Sequence, residues 1–284
     1  MNWTFASKKD IQEMHSLLSA REWECIGLTS RLSQEGKFRL PSPSKAKVAL
    51  GREKDTLKQI VYISQGGFII PYLPGSQPSA SDPALKDIFF TECEAPHMLV
   101  GIANYVENFS TWIQAKPSLS IDYHLMKKER HFPTPKRENI AGLKVRRATA
   151  ADLETLLPLQ EAYEKEEILV RPDYFNPGKT RAELKVNLKN QLVYLADYSG
   201  KVIAKAGTNA QGFTYDQIGG VFTIPGFRGR KFARTLMHRL LGNIFENGKR
   251  ACLFVKKSNL PAQRLYINLG FRIAESYRIS YFKV

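Results

Sequence analysis

Apolar positions in the second half of the chain alternate between a helical and an extended period. Leu236, Met237, Leu240, Leu241, Ile244 and Phe245 recur at helical spacing, which predicts an amphipathic helix over Phe232–Asn247 that Gly248 ends. Thr149-Ala150-Ala151-Asp152 precedes Leu153, Leu156, Leu157 and Leu159 and predicts another. Thr180-Arg181-Ala182-Glu183 reads as a capping box in front of Leu184 and Leu188. Leu143–Arg147, Leu192–Ala196, Val202–Gly207, Gln217–Ile224 and Ala251–Val255 are expected strands, the second and third joined by Ser199-Gly200. Pro261–Leu269 is a short helix closed by Gly270, and Phe271–Val284 a final strand or hairpin. The order β-α-α-β-β-β-α-β-α-β implies an α/β (α+β) fold, a mixed sheet with helices on its faces.

The first half is patterned less sharply. Ile11, Met14, Leu17 and Leu18 follow helical spacing behind Ser7-Lys8-Lys9-Asp10, a capping box. Lys47–Leu50, Gln59–Ser64, Gly67–Leu73 and Ser120–Met126 read as strands, and His97–Trp112 as a buried helix. Pro74–Pro83 is a Ser/Pro/Gly-rich connection within this half. Phe132–Asn139 combines two prolines with charge and cannot continue a helix. The expected organisation is an N-terminal α+β domain over 1–135, a linker at 136–141 and a second domain over 142–284. The first of these shows no metal-ligand spacing, nucleophile elbow or phosphate loop.

Composition narrows the classes. The 284 residues, 43% hydrophobic and 24% charged, suit about two globular domains. No apolar run approaches the roughly 18–20 residues of a membrane span, and Met1–Asp10 lacks the apolar core of a secretory signal. Cys25, Cys93 and Cys252 are far apart, which argues against a disulfide framework or zinc site and fits a reducing cytoplasm. The formal charge is +15, and between 228 and 272 eleven basic residues face one acidic residue, Glu246. Such an excess implies either an anionic partner (nucleic acid, a membrane face or a phosphorylated cofactor) or merely a solvated surface.

One segment combines that charge with backbone chemistry. In Ile218–Ala233 a strand ends near Pro225, a glycine-containing loop carries Arg228, Arg230 and Lys231, and a helix starts at Phe232. A helix N-terminus offers unpaired amides and partial positive charge to a phosphate, and Gly229 allows close approach. The spacing resembles the acetyl-CoA loop of the GNAT superfamily of N-acetyltransferases, Q/R-x-x-G-x-G/A. Arg228 matches the first position and Ala233 the sixth, while Lys231 stands where glycine is usual. Asn259–Phe271, N-L-P-A-Q-R-L-Y-I-N-L-G-F, is similar to a second family segment at Asn259, Ala262, Leu265, Tyr266, Leu269, Gly270 and Phe271. The whole chain resembles a bacterial two-domain group in which a divergent, degenerate GNAT-like or unrelated α+β domain precedes the catalytic one.

The resemblance implies acetyl-CoA as cosubstrate, no metal, and direct transfer of acetyl to an amine in a ternary complex. It places the pantetheine arm along Val221, Phe222 and Thr223, with Gly219-Gly220 marking a bulge. The pyrophosphate falls at Arg228, Gly229, Arg230, Lys231, Phe232 and Ala233. Asn259 is placed near the arm and Tyr266 as the acid for the departing thiolate. The general base stays open among Asp216, at the mouth of the central strand, Glu161, Glu164, Glu166 and Glu167, with Tyr174 and His238 weaker; Cys252 reads as core. A non-catalytic acetyl-CoA-binding regulator and a nucleic-acid-binding protein are the alternatives, although the cofactor loop accounts for much of the basic cluster. The acceptor and the oligomeric state, a homodimer included, stay open, and no membrane partner is expected.

Overall fold

The computed structural model describes residues 1–34, 37–75, 83–93, 95–130 and 139–282. The expected linker and the 135/136 boundary therefore lie mostly outside the described residues. The first half runs β1 (Asn2–Phe5), α1 (Ile11–Ala20), α2 (Ile26–Leu32), a minor hairpin of β2 (Ser33–Gln34) and β3 (Lys37–Phe38), β4 (Ala46–Glu53), β5 (Thr56–Ser64), β6 (Phe68–Tyr72), α3 (Pro83–Glu92), β7 (Met98–Ile102), α4 (Ala103–Trp112) and β8 (Leu119–Lys128). The second half runs β9 (Leu143–Arg147), α5 (Leu153–Tyr163), a π turn (Glu164–Ile168), α6 (Pro177–Asn190), β10 (Val193–Tyr198), β11 (Lys201–Gln211), β12 (Tyr215–Thr223), α7 (Phe232–Glu246), β13 (Arg250–Lys256), α8 (Leu260–Asn268) and β14 (Arg272–Tyr281). The minor hairpin aside, the order β-α-α-β-β-β-α-β-α-β occurs twice.

The two runs share one sheet of order β1-β4-β5-β6-β7-β14-β8-β13-β12-β11-β10-β9. Their last strands are exchanged: β14 pairs with β7, and β8 pairs with β13. Each half is thus completed by a strand that lies beside the other, and β14 and β8 pair along their full length at the join. Among the described residues all strand pairings are antiparallel except two. β6 meets β7 in parallel only at Phe68–Met98 and Ile69–Leu99, and β12 meets β13 in parallel only over Tyr215–Gln217. Both parallel pairs therefore separate beyond two or three residues. In the first half the apolar residues past that point, Ile70, Tyr72, Val100 and Ile102, join a common core.

Local chemistry explains most element starts. The Ser7 amide donates to Asp10 Oδ2 at 2.8 Å, as the capping-box reading predicts. The Thr149 amide does the same with Asp152, whose carboxyl is held near pKa 2 by Arg146 and by that cap. Two expectations are corrected. The stretch His97–Trp112 is not one helix: Met98–Ile102 is β7 and only Ala103–Trp112 is helical. A strand covered on both faces is apolar at every position, so periodicity cannot distinguish it from a buried helix. The helix expected from Thr180 starts at Pro177 instead, capped by Asn176, whose Oδ1 accepts from the Lys179 amide at 2.9 Å. The Thr180 hydroxyl is bonded to Glu164. The C-terminal segment is a single strand, with no hairpin among the described residues.

Candidate active site

β12 carries the site because it is irregular on one edge and open on the other. Against β11, Lys205 faces Phe222 while Gly207 faces Gly219, so one residue of β11 is opposed by two of β12. This is a β-bulge at Gly220–Val221, and Gly220 adopts φ +62°, a torsion natural to glycine. A Cβ there would also stand 2.9 Å from the Lys205 Nζ. On the opposite edge, β12 runs six residues past its last contact with β13. A wedge opens between Ile218–Thr223 and Leu253–Lys256. The expected bulge and splayed strands are therefore both present.

The wedge is lined by apolar side chains, some of them from α8. Ile218, Val255, Tyr266 and Phe271 belong to one core cluster, with Val221, Ile224 and Leu265 against it. The Tyr266 ring packs edge-on to Phe271 at 6.0 Å and is nearly covered. Burial, then Tyr163 and Glu167, push its phenol well above the usual range, so it keeps its proton at neutral pH. Among the described residues the buried Thr223 hydroxyl has no hydrogen-bond partner.

The loop after β12 turns at Pro225–Phe227, and the Arg228 amide donates back to the Pro225 carbonyl. Gly229 has φ +76°. Lys231, the residue before α7, has φ +63° and ψ +10°, left-handed rather than the α-like torsions a lysine prefers there. The first helical bond runs from the Thr235 amide to the Lys231 carbonyl, which leaves the Phe232 and Ala233 amides in the unpaired first turn. The Phe232 side chain is buried, so its contribution to this loop is its backbone. Arg228 donates from Nε to the Thr223 carbonyl at 2.9 Å and from Nη2 to Glu166 at 2.8 Å. Arg230 stacks on Phe227.

Asn259 caps α8: its Oδ1 accepts from the Ala262 amide at 3.1 Å, and its Nδ2 donates to Glu167 at 3.0 Å. Glu167 also lies 3.6 Å from the Lys256 ammonium. The π turn Glu164–Ile168 thus spans the mouth of the wedge, with Glu166 on the loop side and Glu167 on the α8 side. Of the other candidate bases, Asp216 is at the closed end, where β12 still pairs with β13, not at the mouth. It is buried against Lys249 at 2.8 Å, and burial raises its pKa. Glu161 pairs with Lys165, Tyr174 is exposed under Arg171, and His238 sits on α7 beside Tyr194 in a separate depression. Cys252 is buried, and burial pushes its thiol up, which agrees with a core role.

Two residues emerge that the motifs did not mark. A cavity of about 280 Å³ lies between β11–β12 and α5–α6, lined by Tyr163, Glu164, Thr180, Lys205, Asn209 and Gly220 among others. Lys205 Nζ donates to the Gly220 carbonyl at 3.1 Å and lies 4.4 Å from the Tyr163 ring centre. Burial pulls its pKa down to about 7, offset in part by Glu164. Tyr163 spans the distance to the wedge, its ring 6.1 Å from that of Phe222. The signal for Lys205 was a lone charge within Val202-Ile203-Ala204-Lys205-Ala206-Gly207, an otherwise apolar strand. No group of His, Cys, Asp and Glu suited to a metal occurs among the described residues. No helix of the described residues is long and apolar enough to cross a membrane.

The fold recurs in solved structures. A GCN5-related N-acetyltransferase from Sphaerobacter thermophilus shares it with TM-score 0.64 at 15% identity, over 98% of this chain and 94% of that one. An acetyltransferase of the GNAT family from Colwellia psychrerythraea covers 100% of both chains with TM-score 0.55 at 12% identity. A tandem GNAT protein from the clavulanic acid biosynthesis pathway matches with TM-score 0.56 at 12% identity, over 98% and 97%. At these identities the likeness establishes the fold. No curated protein sequence matches the chain. The family model described as acetyltransferase (GNAT) family matches residues 156–271, which span the cavity, the bulged strand, the loop and α8. The chain carries a domain of the acetyltransferase (GNAT) family.

Proposed function

We propose that the protein is an acetyl-CoA-dependent N-acetyltransferase that passes acetyl directly to an amine in a ternary complex. The observation that carries the reading is the open edge of β12 leading into a cationic helix N-terminus. An amide-rich arm needs backbone partners, and Val221–Thr223 offer them; the unpartnered Thr223 hydroxyl suits the same ligand. A pyrophosphate needs amides and cations, and Gly229–Ala233 with Arg228, Arg230 and Lys231 offer both. Asn259 holds the start of α8 and, through Glu167, the mouth of the wedge.

In this reading acetyl-CoA supplies the acyl group and the thiol leaving group. Tyr266, kept protonated by burial, donates to the sulfur as negative charge develops there. The acceptor occupies the cavity beside Lys205, and Glu164, the carboxylate of the candidate set with Glu183 along its wall, takes the amine's proton. The duplicated element order favours two GNAT-like halves, 1–135 and 142–284, of which the second holds the cofactor residues. A cytoplasmic location fits three cysteines that lie far apart in the sequence.

Isothermal titration of the full chain with acetyl-CoA and CoA tests the reading, followed by an amine library read out by free thiol. Binding of both, with thiol release for at least one amine class, is expected. No binding of either nucleotide overturns it.

A further inference from the structure

Lys205 is an unusual occupant of its position. It lies on β11 among alanines, with 5% of its surface exposed. Among the described residues it forms no ion pair; its contacts are the Gly220 carbonyl at 3.1 Å and the Tyr163 ring at 4.4 Å. Besides Lys205, the charged and titratable groups around the cavity are Tyr163 at the end of α5, Glu164 in the π turn, Tyr174 after it, and Lys179 and Glu183 on α6. Glu164 is engaged by Gln160 Nε2 at 2.7 Å and by the Thr180 hydroxyl. Nothing therefore compensates an ammonium here fully, and the amine is held neutral for a substantial fraction of the time near pH 7. A neutral amine that gives one N–H to a carbonyl keeps its lone pair for other chemistry.

Its place matters as much as its charge. Gly220 immediately precedes Val221–Thr223, the open edge of the wedge. The Nζ is thus fixed to the carbonyl next to the strand edge along which a thioester donor is read to lie. It also borders the cavity that the acceptor is read to enter. A nucleophilic amine is built into the protein where an amine substrate would have to be.

We propose that Lys205 is itself an acceptor, acylated on Nζ by the acetyl thioester bound in the wedge. This rests on the reading of the site as an acetyl-CoA-dependent transferase. In the step, the Nζ lone pair forms a C–N bond to the thioester carbonyl carbon, and the C–S bond breaks with its electron pair on sulfur. The proton lost from nitrogen balances the one gained by the thiolate. The products are an Nε-acetyl-lysine and free CoA, with no oxidant or further reactant. The product keeps one N–H for the Gly220 carbonyl and has no lone pair available for a second transfer.

The test is mass spectrometry of the purified full chain after incubation with acetyl-CoA at pH 7.5, alongside calorimetry of acetyl-CoA binding. Peptide mapping is expected to find acetyl on Lys205 before the exposed Lys185, Lys189 and Lys201, by at least about tenfold in initial rate. That factor is a lower bound on the difference in neutral fraction between amines of pKa near 7 and near 10.4. Arg228→Ala, which weakens donor binding, is expected to slow labelling of Lys205 and leave the exposed lysines unchanged. If acetyl-CoA binds and Lys205 stays unmodified while exposed lysines acquire acetyl, the proposal is wrong and the transferase reading stands. Equal labelling of Lys205 in native and urea-unfolded chain also overturns it. If acetyl-CoA does not bind, both fall together.

Discussion

The Nε of Arg228 donates to the carbonyl of Thr223 at 2.9 Å, so the first basic residue of the loop is tied to the last residue of the strand it follows. The same guanidinium reaches Glu166 at 2.8 Å and lies over the Phe222 ring. One planar group therefore holds loop, strand end and π turn in register. Arg228→Ala should weaken acetyl-CoA binding by roughly 1–3 kcal/mol, the range for a charge-assisted hydrogen bond. Arg228→Lys should recover only part of the loss, because an ammonium cannot serve the strand and an anion in one plane. Calorimetry on both variants checks the order, and full recovery by lysine would reduce the role to net charge.

Lys231 occupies the left-handed region at φ +63°, where a Cβ is crowded by the following carbonyl. Lys231→Gly should therefore stabilise the folded chain by about 1 kcal/mol, less the entropy glycine adds to the unfolded state. Urea denaturation at neutral pH measures the balance. If the position serves through its amide alone, acetyl-CoA affinity should be equal or tighter in the glycine variant. A marked loss would identify the ammonium as a ligand of the phosphates.

Much of the second half is legible in the sequence because its signals are local. Caps at Thr149 and Asn259, glycine stops at Gly248 and Gly270, and the apolar stripe of α7 each act within a few residues. The wedge is legible only through the resemblance, since strand separation is a property of two segments more than thirty residues apart. The exchange of β8 and β14 left no local trace, because an antiparallel strand looks the same beside either neighbour. β7 was misread for want of a polar face. Asp216 resembled a base in sequence because its carboxylate precedes the open part of β12, yet the parallel register closes that end.

Tyr266 is placed by the packing of α8 against the wedge, with its hydroxyl in the vicinity of Tyr163 and Glu167. Tyr266→Phe keeps the ring that packs on Phe271 and removes the proton. On an acceptor identified by thiol release, turnover should fall about 10²-fold or more, with acetyl-CoA affinity nearly unchanged. Wild-type turnover where chemistry limits the rate would make the tyrosine a packing residue only.

Glu22, in the turn between α1 and α2, is 1% exposed and reaches the β11–β12 connection of the other half. Its carboxylate accepts from the Thr214 amide at 2.7 Å, the Thr214 hydroxyl at 2.8 Å and the Tyr215 amide at 3.1 Å. Glu22→Ala should cost about 3 kcal/mol, since several buried donors lose a charged acceptor together. Gly212→Ala attacks the same contact from the other side, because a Cβ there would come within 2.2 Å of Glu22 Oε1. Both should lower the urea midpoint, and a biphasic transition in either would show that this contact makes the two halves unfold together.

Lys205 also makes stability depend on pH in a defined direction. Its folded pKa, about 7, lies below the 10.5 of an exposed lysine, so the unfolded chain binds more protons between those values. Stability from this group therefore rises with pH through that window, and the full penalty of burying the ammonium is felt below pH 7. Lys205→Met fills the space without the charge. It should be more stable than the wild type at pH 6, by about 5 kcal/mol at most. The advantage should shrink progressively at pH 8 and pH 9, because the unfolded chain still holds the proton that folding releases and that release costs less as pH rises. Urea denaturation of both proteins at these three pH values reads the difference directly, with other titrating groups common to the pair. A pH-independent difference would mean that Lys205 keeps its proton in the folded state.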